Sequence, residues 1–337
     1  MPDKEFYFKE IYDKNEWTEY LNSLQTSDIY SSWLWGEYKQ RVGWNIRRIS
    51  VWDTKEDTLV ACFQLQKKIK FKLFKILLIQ GGIHLKKLSD NSYHQLLESL
   101  MVEYVLSKKL AILFINHQSG SSQDVELGLL RSNFTPILNT KSYTYVLDRN
   151  QKALSQERLS KNWRRNLKRA LNNSKLSYHW VTDVAERKRS FGDMEGFYSN
   201  LMSRKKFGAA LNIDSIKDLL IESDDFRIIE ARLENKVIAV RIGAFGKDSV
   251  LDFLAASDEL AKNTYANYLL LHKLIELANS EGKLYFDCGG INPSDNMGVF
   301  NFKKGLGGRL AINGPIWLNA SSNIIKKFNK ILFSFGV

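Results

Sequence analysis

The chain has 337 residues, 44% of them hydrophobic and 12% aromatic, with only 4 prolines, so it can build packed cores; a disordered, collagenous or low-complexity chain is excluded. Its 49 Lys and Arg against 37 Asp and Glu leave a formal charge of +12, which favours an anionic partner: nucleic acid, a phospholipid surface or a phosphorylated substrate. Cys62 and Cys288 are too few for a disulfide framework, and the 5 histidines are scattered without ligand spacing, so no structural zinc site and no metal are expected.

The length predicts two domains of about 150 residues each. Met1 to Phe6 has no apolar stretch behind a basic start, and no run of about 18 uncharged apolar residues follows anywhere. A cytoplasmic protein is therefore expected. From Trp44 the chain reads as a strand to Val51, a turn through Asp53 to Asp57, a strand from Leu59 to Lys70 and another from Phe74 to Leu85. Ser92 to Lys108 carries apolar residues at helical spacing, and Leu110 to Ile115 is a short apolar run suited to a buried strand. The unit is βββαβ.

Gln156 to Asn173 reads as a helix in which Leu159, Trp163, Leu167 and Leu171 recur every four residues and face inward. Around it, Lys152, Arg158, Lys161, Arg164, Arg165, Lys168, Arg169 and Lys175 oppose Glu157 alone. Such one-sided charge repels itself and is better satisfied against a polyanion than against water, so Lys161, Arg164, Arg165, Lys168 and Arg169 are candidates to face tRNA or an anionic surface.

The same order of elements then returns. Phe226 to Leu233, Val237 to Phe245 and Val250 to Leu254 read as three strands, Thr264 to Ser280 as a helix closed by Gly282, and Leu284 to Cys288 as a fifth element, a strand. Two βββαβ units predict a mixed α/β (α+β) chain of two related domains, each a sheet with helices packed on it. The domains are placed at 1–148 plus 310–337 and at 149–309. At the C-terminus, Ile324, Ile325, Phe328, Ile331, Leu332 and Phe335 gather on one side of a predicted helix with Lys326, Lys327 and Lys330 on its flanks. The alternation Lys68-Ile69-Lys70-Phe71-Lys72-Leu73 is read as a second cationic edge, its lysines on one strand face. Together these predict salt-sensitive attachment to the inner face of a membrane.

The P-loop, the dinucleotide fingerprint, H-E-x-x-H and G-x-S-x-G are all absent. Four stretches remain: Trp35-Gly36-Glu37-Tyr38-Lys39 with Gly43-Trp44; Gln80-Gly81-Gly82; the basic helix from Leu159-Ser160-Lys161; and Tyr285 to Ile291 leading to Phe300-Asn301-Phe302-Lys303-Lys304-Gly305-Leu306-Gly307-Gly308. Their order and spacing over nearly the whole chain resemble the FemABX family of non-ribosomal peptidyl transferases, which build peptidoglycan interpeptide bridges.

The resemblance implies two GNAT-like domains and transfer of an amino acid from aminoacyl-tRNA to an amine of a lipid-linked or UDP-linked peptidoglycan precursor, by a monomer without a cofactor. It puts Phe302 and Lys303 at the reaction centre, Lys39 on the phosphates of the precursor, and Trp35, Arg204, Asp287 and Gly290 at the substrate. The chain departs from the family pattern in lacking a tyrosine in Leu251 to Ser257, an arginine after Arg204 in Phe207 to Leu211, and a coiled-coil arm. Two other readings compete: an acyl-CoA-dependent N-acyltransferase acting on a glycan or amino sugar, and a non-catalytic RNA- or membrane-binding protein.

Overall fold

The computed structural model describes residues 5–24, 28–86, 88–106, 110–117, 122–149, 158–205 and 212–322, with the side chains of 139 and 201–205 excepted. The chain forms two units, residues 1–142 with 312–337 and residues 143–311. The basic-apolar segment predicted as a helix over 324–335 lies outside the described residues, as do Lys152, Glu157 and 207–211.

The first unit begins with β1 (Phe6–Glu10), α1 (Lys14–Ser23) and α2 (Trp33–Arg41), followed by β2 (Asn45–Asp53), β3 (Leu59–Lys70) and β4 (Phe74–Gln80). The third predicted strand is interrupted: Gly81 and Gly82 take φ of +89° and +88°, a conformation that extended strands do not use. A Cβ on Gly81 would also collide with Ser31, and one on Gly82 with His117. The short β5 (His84–Leu85) consequently turns back to pair with β3. Next come α3 (Asp90–Leu100), which runs into a π-helical turn over Met101–Leu106, then β6 (Ala111–Asn116), α4 (Gln123–Arg131) and β7 (Thr135–Ile137). Ser89 caps α3 by accepting from the Ser92 amide.

The second unit comprises β8 (Ser142–Asp148), α5 (Lys161–Leu171), β9 (Leu176–Val181), α6 (Val184–Lys205), α7 (Ile213–Glu222), β10 (Phe226–Leu233), β11 (Lys236–Phe245), β12 (Ser249–Ser257), α8 (Glu259–Asn263), α9 (Ala266–Ser280), β13 (Tyr285–Ile291), α10 (Met297–Lys304) and β14 (Arg309–Asn313). The chain then re-enters the first unit as β15 (Ile316–Ala320), antiparallel to β6. Because β8 pairs with β13, residues 143–148 belong with the second unit, although the sequence boundary placed them in the first.

The first sheet runs β1-β2-β3-β4-β6-β15-β7 and the second β14-β8-β13-β12-β11-β10-β9. In each, three antiparallel strands, a helix and a strand parallel to the third reproduce the βββαβ order read from the sequence. The parallel pairs are β4 with β6 and β12 with β13, each reached by a helical crossover, as parallel pairing demands. Apolar side chains pack on the first sheet around Phe63, Tyr93, Leu96 and Ile115, and on its other face around Trp44, Ile76, Phe114 and Leu318. The second sheet packs Leu271, Leu274 and Ile275 of α9 and Trp163 and Leu167 of α5 against Val250, Phe286 and Cys288.

The apolar stripe of α5 drifts. Four-residue steps overshoot the 3.6-residue turn, so Trp163 and Leu167 are buried, Ala170 takes the next inward position, and Leu171 is left exposed, contrary to the predicted Leu159-Trp163-Leu167-Leu171 face. The segment Lys68 to Leu73 is also not one strand face: β3 ends at Lys70, and Phe71 and Lys72 form the turn into β4 with φ of +51° and +58°.

Candidate active site

In the first unit the parallel pair is closed over its whole length, from Lys75↔Ala111 to Gln80↔Asn116. In the second unit it is not. β12 and β13 pair only from Ser249↔Tyr285 to Leu251↔Asp287 and then part, while β13 carries a bulge against β8 between Asp287 and Gly290. Past that point the two strands are no longer ladder partners, and backbone groups released from a ladder can pair with an amide or ester chain.

Lys303, near the end of α10, stands at this opening. Its ammonium donates to the Gly290 carbonyl at 3.0 Å, leaving two of its three N–H donors for a ligand. Burial pushes its pKa down, with the Asp252 carboxylate acting in the opposite direction. Gly289 has φ of +74°, and a Cβ there would sit 3.0 Å from the Asp252 carbonyl and 3.3 Å from Lys303 Nζ, so the position accepts only glycine without crowding the ammonium.

Asp287 is held by its own neighbours. Its carboxylate accepts from the Thr144 hydroxyl and, at 2.8 Å, from the Gly289 amide, while the Thr144 hydroxyl also lies 2.9 Å from the Gly289 carbonyl. This clamp fixes the bulge that aims Gly290 at Lys303. Burial pushes the Asp287 carboxyl up, and the two donors partly counter it. The thiol of Cys288 is buried, and burial raises its pKa, so it is a packing group rather than a nucleophile.

Phe302 faces the α5–α9 side. Its ring lies 4.9 Å from Tyr268 in an edge contact and 6.0 Å from Trp163, and its carbonyl accepts from Trp163 Nε1 at 3.1 Å. Trp163 thus ties the basic helix to the segment bearing Lys303. That helix turns Lys161, Arg164, Arg165, Lys168 and Arg169 outward; Arg169 also donates to the Tyr265 hydroxyl at 2.8 Å.

Sequence reasoning missed Arg241 and Asp252. Their side chains are each 5% exposed and form an ion pair at 2.5 Å, with Asp252 interacting electrostatically with Lys303. Asp252 Oδ1 and Arg241 Nε have no hydrogen-bond partner among the described residues. The signal was available: Arg241 interrupts the apolar run Val237 to Phe245 and Asp252 the run Val250 to Ala256, the usual mark of a buried charge kept for a purpose.

Lys39 and Trp35 lie in the first unit. Trp35 is buried and donates through Nε1 to Gln80 Oε1 at 3.1 Å, which joins the stretch around Trp35-Gly36 to Gln80-Gly81-Gly82. The Lys39 ammonium lies 5.5 Å from the ring centres of both Trp35 and Trp44. Burial, and then repulsion from Lys68, push its pKa down to about 8. Lys68 sits 5.4 Å from the Trp44 ring and donates to the Val42 carbonyl. Two ammonium groups on one indole make a site that an anion would relieve. Arg204 lies within α6, and its side chain is outside the described residues.

Residues 158–304 match the family model described as an acetyltransferase (GNAT) domain. No curated protein sequence matches the chain. Among solved structures, FemX is 14% identical and superposes with a TM-score of 0.76 over 96% of this chain and 99% of that one. The chain has a FemX-like fold. The structure of L-PGS from Bacillus licheniformis follows at 13% identity and a TM-score of 0.58, covering 97% of this chain and 98% of that one. A tandem GNAT protein from the clavulanic acid biosynthesis pathway is 9% identical, with a TM-score of 0.51 over 94% and 99%. The FemX-like fold agrees with the resemblance to the FemABX family, and the match to the GNAT domain over 158–304 lies within the second unit. The gap between β12 and β13, Asp287, Gly290, Phe302 and Lys303 all fall within that matched stretch.

Proposed function

We propose that the protein is an aminoacyltransferase that moves an amino acid from aminoacyl-tRNA to an amine of a peptidoglycan precursor, with Lys303 stabilising the oxyanion. The observation that carries the reading is the Lys303 ammonium held by the Gly290 carbonyl at the mouth of the opened β12–β13 pair. The acceptor amine attacks the ester carbonyl, a C–N bond forms, and the carbonyl oxygen gains the charge that a fixed ammonium is placed to meet. Collapse breaks the ester C–O bond, and the proton lost by the amine goes to the departing ribose oxygen.

The features that favour an aminoacyl-tRNA donor over an acyl-CoA are electrostatic. A CoA pyrophosphate is commonly received by backbone N–H groups at a helix N-terminus. The connection after β12 has no glycine, and the Ala261 amide in the first turn of α8 is taken by the Asp258 side chain. The glycines at 305, 307 and 308 follow the C-terminal end of α10, where the helix dipole repels anions. The exposed cations of α5, tied to Phe302 through Trp163, suit an RNA backbone instead.

Lys39 and Lys68 are the proposed grip on the acceptor phosphates, each a compact ammonium suited to pyrophosphate. The basic and apolar hairpin between β3 and β4, with Ile69, Phe71 and Leu73 exposed, favours a lipid-linked acceptor over a soluble one. Incubation of the protein with charged tRNA and either lipid-linked or UDP-linked muropeptide, read by mass spectrometry, tests the reading. An acceptor heavier by one aminoacyl residue supports it; an unchanged acceptor in both arms refutes it.

A further inference from the structure

The ribbon formed by the end of β3 and the start of β4 extends beyond the rest of its sheet. β2 leaves β3 at Asn45↔Lys67, and β6 joins β4 only at Lys75↔Ala111, so between those points β3 and β4 pair only with each other. The nine residues Lys67 to Lys75 are five lysines and four apolar residues and nothing else. Ile69, Phe71 and Leu73 are 53%, 62% and 62% exposed. The turn itself is built against local preference. Phe71 and Lys72 both have positive φ, and Leu73 N–H donates to the Lys70 carbonyl at 3.2 Å, the pattern of a type I′ turn that Asn-Gly normally fills. A phenylalanine in the left-handed region is unfavourable, and the residue stays 62% exposed here.

We propose that this hairpin is a membrane-insertion element, with Ile69, Phe71 and Leu73 entering the interface of an anionic bilayer and Lys70, Lys72 and Lys75 meeting the lipid phosphates. Apolar tips flanked by long cationic side chains fit the boundary between headgroups and acyl chains, where the lysine stems bury and the ammonium groups stay at the phosphates. Nucleic acid would satisfy the lysines and gain nothing from Ile69 and Leu73. A second copy of the chain would bring five more positive charges to the same place. The placement also deepens the lipid-linked part of the proposed function, on which it rests: Lys68, at the root of the ribbon, belongs to the Lys39 cation pair, while the tip lies two to five residues further along.

The test uses the full chain with Leu73→Cys carrying an environment-sensitive fluorophore. Cys62 and Cys288 are buried, so labelling is selective. The emission shifts to the blue on phosphatidylglycerol-containing vesicles and not on pure phosphatidylcholine. The double variant Phe71→Asn with Lys72→Gly relieves the turn, so it raises the thermal midpoint by a few degrees yet lowers vesicle affinity by about tenfold to a hundredfold. A stable variant that retains full vesicle affinity overturns the proposal. So does an absence of blue shift on either vesicle at low salt, an equal shift on both, or a shift produced only by tRNA. Vesicle binding needs no turnover, and the double variant keeps its rate on a UDP-linked acceptor, so failure here is separable from failure of the transferase reading.

Discussion

Lys303 Nζ and the Gly290 carbonyl, 3.0 Å apart, join the last turn of α10 to the bulged strand β13, and they do so where β13 has left β12. The hydrogen bond uses one ammonium proton to fix the side chain and leaves two N–H donors for other partners. If this group meets the developing oxyanion, Lys303→Ala lowers the single-turnover transfer rate by about 10²- to 10³-fold with an unchanged melting curve. Lys303→Arg is impaired as well, because a planar fork does not fit the place of a compact ammonium. Full activity in the alanine variant removes Lys303 from the chemistry.

Gly289→Ala tests the geometry without touching charge. The positive φ costs about 1 kcal/mol for a residue with a Cβ, and the added methyl meets the Asp252 carbonyl and the Lys303 ammonium. The expected result is a small loss of stability with at least a tenfold drop in kcat and little change in acceptor KM. Equal loss of binding and rate would indicate general disruption.

The Lys39 site makes a pH prediction. A lysine whose pKa is pushed down to about 8 carries its charge below that pH and loses it above. Acceptor KM is therefore flat near pH 7 and rises through pH 8 to 9, and Lys39→Ala raises KM at pH 7 and flattens the profile. A bound phosphate would move the midpoint upward. A KM that falls as the pH rises contradicts the assignment.

Charge reversal of Arg164 and Arg165 weakens tRNA binding and reduces the slope of log affinity against log salt by about 2, one for each phosphate that an arginine no longer neutralises. An unchanged slope in a filter-binding titration makes α5 a solvated surface helix.

Much of the fold was legible because period and order are local properties. β3 was bounded correctly by the apolar run from Leu59 and β10 by that from Phe226, and the repeat of three strands, helix and strand gave the two-sheet architecture. The break at Gly81-Gly82 was not, since it arises where Ser31 and His117 approach from elements distant in sequence. At the candidate site Lys303 meets Gly290, Phe302 packs on Trp163 and Tyr268, and Asp287 clamps the bulge through Thr144, a set of contacts that depends on strand register and was not legible in the sequence. Arg241 and Asp252 stayed hidden because their pairing depends on the β11–β12 register, which shifts at a bulge between Ile242 and Gly243.

A competition between two donors identifies the one that the protein uses. The protein is mixed with one acceptor, isotopically labelled aminoacyl-tRNA and acetyl-CoA bearing a different isotope, and the acceptor is then isolated and its label identified. The acceptor is expected to carry the aminoacyl label, dependent on Lys303. Transfer of the acetyl label, or aminoacyl transfer undiminished in Lys303→Ala, would contradict it.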